Sequence, residues 1–270
     1  MERERSRFDK FAYGELNAEL LEIVDRTHGS ARPNYTWGLL QAAYLGKMLN
    51  LDRISAIEFG VAGGNGLVSL ERIAPEVEKL LGVIVEVYGF DTGEGLPIPG
   101  DYRDLPHLYE SNTYKMDQAA LKSRLTTAKL YLGLIEKTLA GFIDSKPAPV
   151  GFIAVDVDLY SSTVHSLRIL EASQRMLLPR IHCYFDDLIG FSFADFNGER
   201  LAIHEFNEAH ATRKISPIYG LRYFVPRTMA DSPWVDGMFM AHILDHELYT
   251  KPDGMVRLKQ EQLNNPANPR

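Results

Sequence analysis

The chain has 270 residues, of which 45% are apolar and 24% charged, the balance of a globular protein that buries a sizeable core. A formal net charge of −7 speaks against nucleic acid as a partner, because such surfaces are basic. Cys183 is the only cysteine, so no disulfide closes within one chain, and no apolar run is long enough to span a bilayer. The opening residues, MERERSRFDK, lack the apolar stretch of a signal peptide, and the expectation is a cytoplasmic protein with no membrane partner.

In chain order, residues 11–26 space Leu16, Leu20, Leu21 and Ile23 as one face of a helix. The segment HGSARPN is a loop broken by Pro33, and residues 35–49 form a second helix. ISAIEFGVAGGNGL, residues 54–67, reads as a buried strand ending in an acid and a glycine-dense turn, with a helix over 68–81. Strands follow at 84–90, 129–135, 149–158 and 181–187, with helices at 116–125, at 161–178 with a serine cap, and at 199–211. YGLRYFVP and GMFMAHILDH then read as two strands with no helix between them, an antiparallel hairpin at the sheet edge. Alternating strands and helices predict a mostly parallel sheet. With no linker in evidence, a single domain is expected over residues 1–270, made of a helical cap at 1–50, a core at 51–250 and a tail at 251–270.

Four strands close on acids: Glu58, Asp91, Asp156 and the pair Asp186–Asp187. Ligands of open α/β sheets lie beyond these carboxyl ends. Gathered carboxylates repel each other unless a cation or hydrogen-bond donors compensate. The turn EFGVAGGNG carries no Gly-Lys-Ser/Thr, which excludes a P-loop, while a dinucleotide held through Asp91 stays open. An acid just before the turn is awkward beside a pyrophosphate and suits a cofactor bearing an ammonium and a sulfonium. That feature and the terminal hairpin favour S-adenosyl-L-methionine.

EFGVAGGNG, GFDTGEGLP, VDVDLYSST and YFDD followed by ERLAIHEFNEAH resemble the macrocin O-methyltransferase (TylF-type) branch of the class I methyltransferases, over roughly residues 35–225. The resemblance implies a Rossmann-like fold with a seven-stranded, mostly parallel sheet, an antiparallel C-terminal hairpin and helices on both faces. It implies that Glu58, Gly60, Ala62, Gly63 and Gly64 hold the methionine moiety and that Asp91, followed by Thr92, takes the ribose hydroxyls. Gly133, Leu134 and Ile135 fall near the adenine, and Tyr35 and Thr36 close over the cofactor. Asp156, Asp186 and Asp187 match a magnesium site, with Asp156 also at the cofactor and in catalysis. A metal there would bind an acceptor hydroxyl and lower its pKa. The implied reaction is O-methylation of a sugar or other small natural product by a homo-oligomer, a dimer or higher.

YSST stands where the family has YEST, and GFDTGEGLP has Gly where the family has Phe. The catalytic base stays open between Asp158 and His204, the latter as readily a surface or core histidine. Tyr160, Phe191 and Phe193 are candidates for the acceptor pocket. Two alternatives stand beside this reading. IAVDVDLYSS with CYFDD also resembles a haloacid dehalogenase-type phosphatase using Asp156 and Asp158, and a non-catalytic S-adenosylmethionine-binding module would carry the same turn.

Overall fold

The computed structural model describes residues 32–225 and 228–250; the helix expected over 11–26 and the tail over 251–270 lie outside them. Helix α1 (Pro33–Met48) leads into β1 (Arg53–Phe59), α2 (Asn65–Leu81) and β2 (Ile84–Asp91). After a long loop come α3 (Gln118–Arg124), β3 (Lys129–Leu132), α4 (Ile135–Asp144), β4 (Val150–Val155) and α5 (Tyr160–Leu167). The chain closes through β5 (Leu177–Phe185), α6 (Gly198–Ala209), β6 (Arg213–Pro217) and β7 (Met238–Ile243). The seven strands form one sheet in the order β3-β2-β1-β4-β5-β7-β6. β1 to β5 pair in parallel, and β7 runs antiparallel to both β5 and β6. This is the Rossmann-like arrangement expected from the sequence, a mostly parallel seven-stranded sheet with an antiparallel C-terminal pair and helices around it.

Strands buried on both faces need apolar residues at every position rather than alternation. β4, VGFIAV, is buried throughout, and β1 is buried from Ile54 onward. Register then decides where the acids fall. Phe59 pairs with Phe90 and Val155, and Val155 pairs with Phe185. The next residues along β4 and β5 are Asp156 and Asp186, whose amides donate to the Phe59 and Val155 carbonyls at 2.8 and 3.1 Å. Asp91 ends β2 one step past Phe90. A common register therefore brings the acids of separate strands to one rim.

Three local expectations are corrected. YGLRYFVP is not a strand: Gly220, at φ 76°, turns the chain into a short 3-10 segment at Leu221–Tyr223. The edge strand is β6 just before it, where only Ile215 is buried and charged neighbours and Pro217 suit an edge. β3 stops at Leu132, because Gly133 takes φ 134° and Ile135 opens a helix that the expected strand over 129–135 ran into. No serine side chain caps α5. Its N-cap residue is Leu159, the cap comes from across the fold, where Asp104 accepts the Ser161 amide at 2.8 Å, and the helix ends at Leu167 instead of running to 178.

α1 is buried on most of its surface and crosses β1, β4 and β5. Gly38 allows this, since a Cβ there would overlap the Phe152 ring, which Tyr35 meets edge-on at 5.9 Å. Gly38→Ala is expected to cost about 1–3 kcal/mol through overpacking, read as a lower urea midpoint with an unchanged slope.

Candidate functional site

The rim encloses a cavity of about 480 Å³. Of the residues expected to bind the cofactor, Glu58, Gly60, Ala62, Gly63, Gly64, Asp91, Thr92, Leu134, Ile135 and Asp156 line it, together with Asp158, Asp186 and Asp187. Between β1 and α2 the chain must reverse close to β4. Gly60, at φ 85°, makes this possible, because a Cβ there would overlap the Asp156 carbonyl oxygen. Gly66 opens room in the same way for the Glu58 carboxylate.

Glu58 is the least exposed acid at the rim. Its Oε1 accepts a 2.6 Å hydrogen bond from the Tyr35 hydroxyl, while Oε2 is buried without a partner. Burial, with Asp91 adding to it, pushes its pKa up to about 7. Tyr35 itself does not line the cavity; it acts beneath it, on Glu58. Arg32 lies over the Tyr35 ring at 4.9 Å and feels the charges of Glu58, Asp156 and Asp186.

Asp91 does something the sequence reading did not foresee. Its Oδ2 accepts the amides of Val61 and Ala62 at 2.9 and 2.8 Å, and its Oδ1 accepts that of Gly93 at 2.6 Å. The carboxylate thus takes up turn N–H groups that would otherwise be offered to a phosphate.

On the opposite side, burial and Asp186 push Asp156 up to about 8, and burial and Asp187 push Asp158 up to about 7. Asp187 rises to about 6 by burial and by Asp186. The Tyr184 hydroxyl donates to Asp186 Oδ1 at 2.6 Å, the Tyr109 hydroxyl to Asp187 Oδ1 at 2.9 Å, and Asp187 Oδ2 is buried without a partner. The donor chemistry suits a hard cation. The spacing does not, since among the described residues no three His, Cys, Asp or Glu side chains are grouped to hold a metal ion.

Several expected site residues fall elsewhere. Thr36 is buried in α1, its hydroxyl donating to the Arg32 carbonyl, and Gly133 lies outside the cavity lining with its amide on the Asp91 carbonyl. His204 projects from α6, exposed and 3.4 Å from Glu208, because its position faces away from the sheet. Tyr160 donates to Glu205 at 2.5 Å and stacks under Arg103 outside the cavity. Phe191 is fully exposed, and Phe193 packs near Gly190, neither lining the cavity.

The lining also holds residues the sequence reading passed over: Tyr109 and Tyr114 from the long loop, Arg32, and His165 with Glu136 at 3.7 Å. Beneath the rim is Glu199, fully buried, whose Oε2 accepts the Asp187 amide at 2.9 Å. No pattern announces a residue buried by tertiary packing, and the periodicity that finds α6 treats Glu199 as one more polar position.

No protein-family model and no curated protein matches the chain. Solved structures similar to it include the calicheamicin methyltransferase CalS11, at 22% identity over 67% of this chain and 74% of its own, with a TM-score of 0.49. The O-methyltransferase NovP is similar at 16% identity over 66% and 72%, with a TM-score of 0.49. The O-methyltransferase from Bacillus cereus in complex with SAH is similar at 16% identity over 83% and 90%, with a TM-score of 0.38.

The folded chain holds a proton on Glu58 up to about pH 7, whereas the unfolded chain releases it near the ordinary carboxyl value of 4.5. Wild type is therefore expected to lose stability relative to Glu58→Gln as pH rises from 4.5 to 7, by at most about 1.4 kcal/mol per pH unit, and no further above that window. Melting curves of both proteins across this range check it; parallel curves would refute the buried acid's role.

Proposed function

We propose that the protein is an S-adenosylmethionine-dependent O-methyltransferase of the macrocin type, acting on a hydroxyl of a sugar or other small natural product. The observation that carries this reading is the charge of the cavity. Seven acids line it, Arg32 is the one Arg or Lys among the described residues that does, and Glu58 Oε2 is buried without a partner. An anionic cavity attracts a cation and repels a phosphate. The turn amides at Val61 and Ala62 are held by Asp91, which weighs against a dinucleotide and against the phosphatase reading alike.

The residues fit the cofactor. Glu58 and Asp156 offer carboxylate oxygens to an ammonium and a sulfonium, Gly63 leaves open space, and Leu134 and Ile135 give an apolar wall for a purine. Asp91 keeps lone pairs for a ribose hydroxyl beyond the amides it accepts. When bound, the cofactor supplies an electrophilic methyl group. The protein's part is then to orient the acceptor hydroxyl in line and to take its proton as the oxygen–carbon bond forms. Asp158 is the base we assign, since it lines the cavity and His204 does not. A homo-oligomer in the cytoplasm belongs to the same proposal.

A magnesium-assisted variant is favoured by Asp187 Oδ2, buried without a partner among acids that burial first and neighbouring carboxylates second push up at Asp156 and Asp187. In that variant Asp156, Asp186 and Asp187 would supply the ligands once the tyrosine hydroxyls release them. Calorimetry with magnesium chloride, with and without S-adenosylhomocysteine, separates the two; heat only in the cofactor titration leaves a carboxylate-only enzyme.

Titration with S-adenosylhomocysteine is expected to give saturable binding, and its absence would sink the proposal. Glu58→Ala is expected to weaken that binding by about 2 kcal/mol, some thirtyfold, by removing a buried charged partner. Asp158→Asn should bind the cofactor as wild type does yet lose methyl transfer, by a factor of roughly 100 or more, in a screen of hydroxylated sugars and phenols with labelled cofactor. Binding without transfer to any acceptor by the wild type would favour the non-catalytic module.

A further inference from the structure

Tyr109 lines two neighbouring cavities. One is the cofactor cavity. The other, about 450 Å³, is formed by the loop between β2 and α3, where Pro99, Pro106 and Leu108 supply apolar walls and His107, Glu110 and Ser111 polar edges. The Tyr109 ring stands between them, half-buried. Its hydroxyl donates to Asp187 Oδ1 at 2.9 Å and lies within hydrogen-bonding reach of Asp158. A ring-borne hydroxyl is therefore already seated on the rim carboxylates, and the protein itself provides it.

We propose that the Tyr109 side chain occupies the acceptor subsite, and that the acceptor is a hydroxyl carried on a six-membered ring which enters from the outer cavity and takes the place of the tyrosine phenol. The inference rests on the methyltransferase reading above and names the acceptor end of that site. The loop must carry Tyr109 aside for the acceptor to bind. The anchors for such a movement lie on either side of the tyrosine. Upstream, Asp104 is tied to Ser161 of α5 and to the Gly100 amide, and downstream Leu96 pairs with Asn112 and Thr113 through the backbone. With the acceptor in place its O–H bond breaks towards Asp158, which takes the proton. The oxygen–methyl bond forms as the sulfur–methyl bond breaks, and the sulfur leaves as a neutral thioether.

Removing the ring leaves a hole of known shape. Phenol is the fragment that Tyr109→Ala lacks, so phenol itself is the probe. Tyr109→Ala is expected to bind phenol on the order of tenfold more tightly than wild type, measured by ligand-observed NMR with and without S-adenosylhomocysteine. Tyr109→Phe keeps the ring and should behave as wild type does. With S-adenosylmethionine, Tyr109→Ala should convert phenol to anisole, while wild type should not. Equal phenol binding by wild type and Tyr109→Ala would overturn the subsite, and so would no binding by a Tyr109→Ala protein that has native circular dichroism and wild-type affinity for S-adenosylhomocysteine. Loss of S-adenosylhomocysteine binding in every protein, wild type included, would count against the methyltransferase reading; the phenol comparison made without cofactor still decides the subsite.

Discussion

The hydrogen bond from Tyr35 to Glu58 is the constraint on which the site depends. A carboxylate taken out of water at the end of a central strand is costly unless donors meet it. Here α1 delivers one donor, and the rest of the arrangement follows from making room for it. Gly38 lets α1 lie close on Phe152, which sets the depth at which Tyr35 reaches the sheet. Gly66 admits the Glu58 carboxylate beneath the first turn of α2. The second oxygen is left without a partner at the wall of the cavity, so the bond that stabilises Glu58 also leaves it half-satisfied towards a ligand.

Strand register spreads that local effect across the rim. Because Phe59, Phe90, Val155 and Phe185 end in step, the acids that follow cannot avoid one another. Those at Asp156, Asp158 and Asp187 respond by holding protons more tightly than they would in water. Asp91 turns its oxygens onto backbone amides. The turn and the acids are thus two halves of one compensation, in which the glycine-rich backbone neutralises β2's acid and leaves the others to whatever binds.

What could be read from the sequence was what periodicity and strand ends encode. β4 is an unbroken apolar run and β1, β2 and β5 are mostly apolar because they are buried or half-buried along most of their length, and an acid at the end of each is visible by inspection. The edge was harder. β6 has a single buried residue, so its pattern is weaker than that of YGLRYFVP, where Leu221 and Val225 are buried in a turn and Tyr219, Tyr223 and Phe224 are exposed. The glycine at 133 ends a strand by its backbone angle, which composition alone does not reveal. Side-chain direction was beyond reach as well. His204, Tyr160 and Phe191 occupy plausible segments, but helix phase and loop path turn them away from the cavity, whereas Tyr109 comes to it from a loop with no periodicity to read.

The buried acids beneath the rim lead to the same conclusion from the side of stability. Glu199 is fully buried, with one oxygen on the Asp187 amide and the other without a partner, and burial holds its pKa well above the usual carboxylate range. A core built for stability alone would place an apolar side chain there, because a half-satisfied buried carboxyl costs more than the hydrogen bond returns. What Glu199 does accomplish is to fix the backbone at the end of β5, where Asp186 and Asp187 diverge, one towards Tyr184 and the other towards Tyr109. The position of that acid pair is therefore set from below by α6 and from above by the loop. Of the two supports only the loop can yield without disturbing the sheet, so a ligand that rearranges the rim must do so by moving the loop.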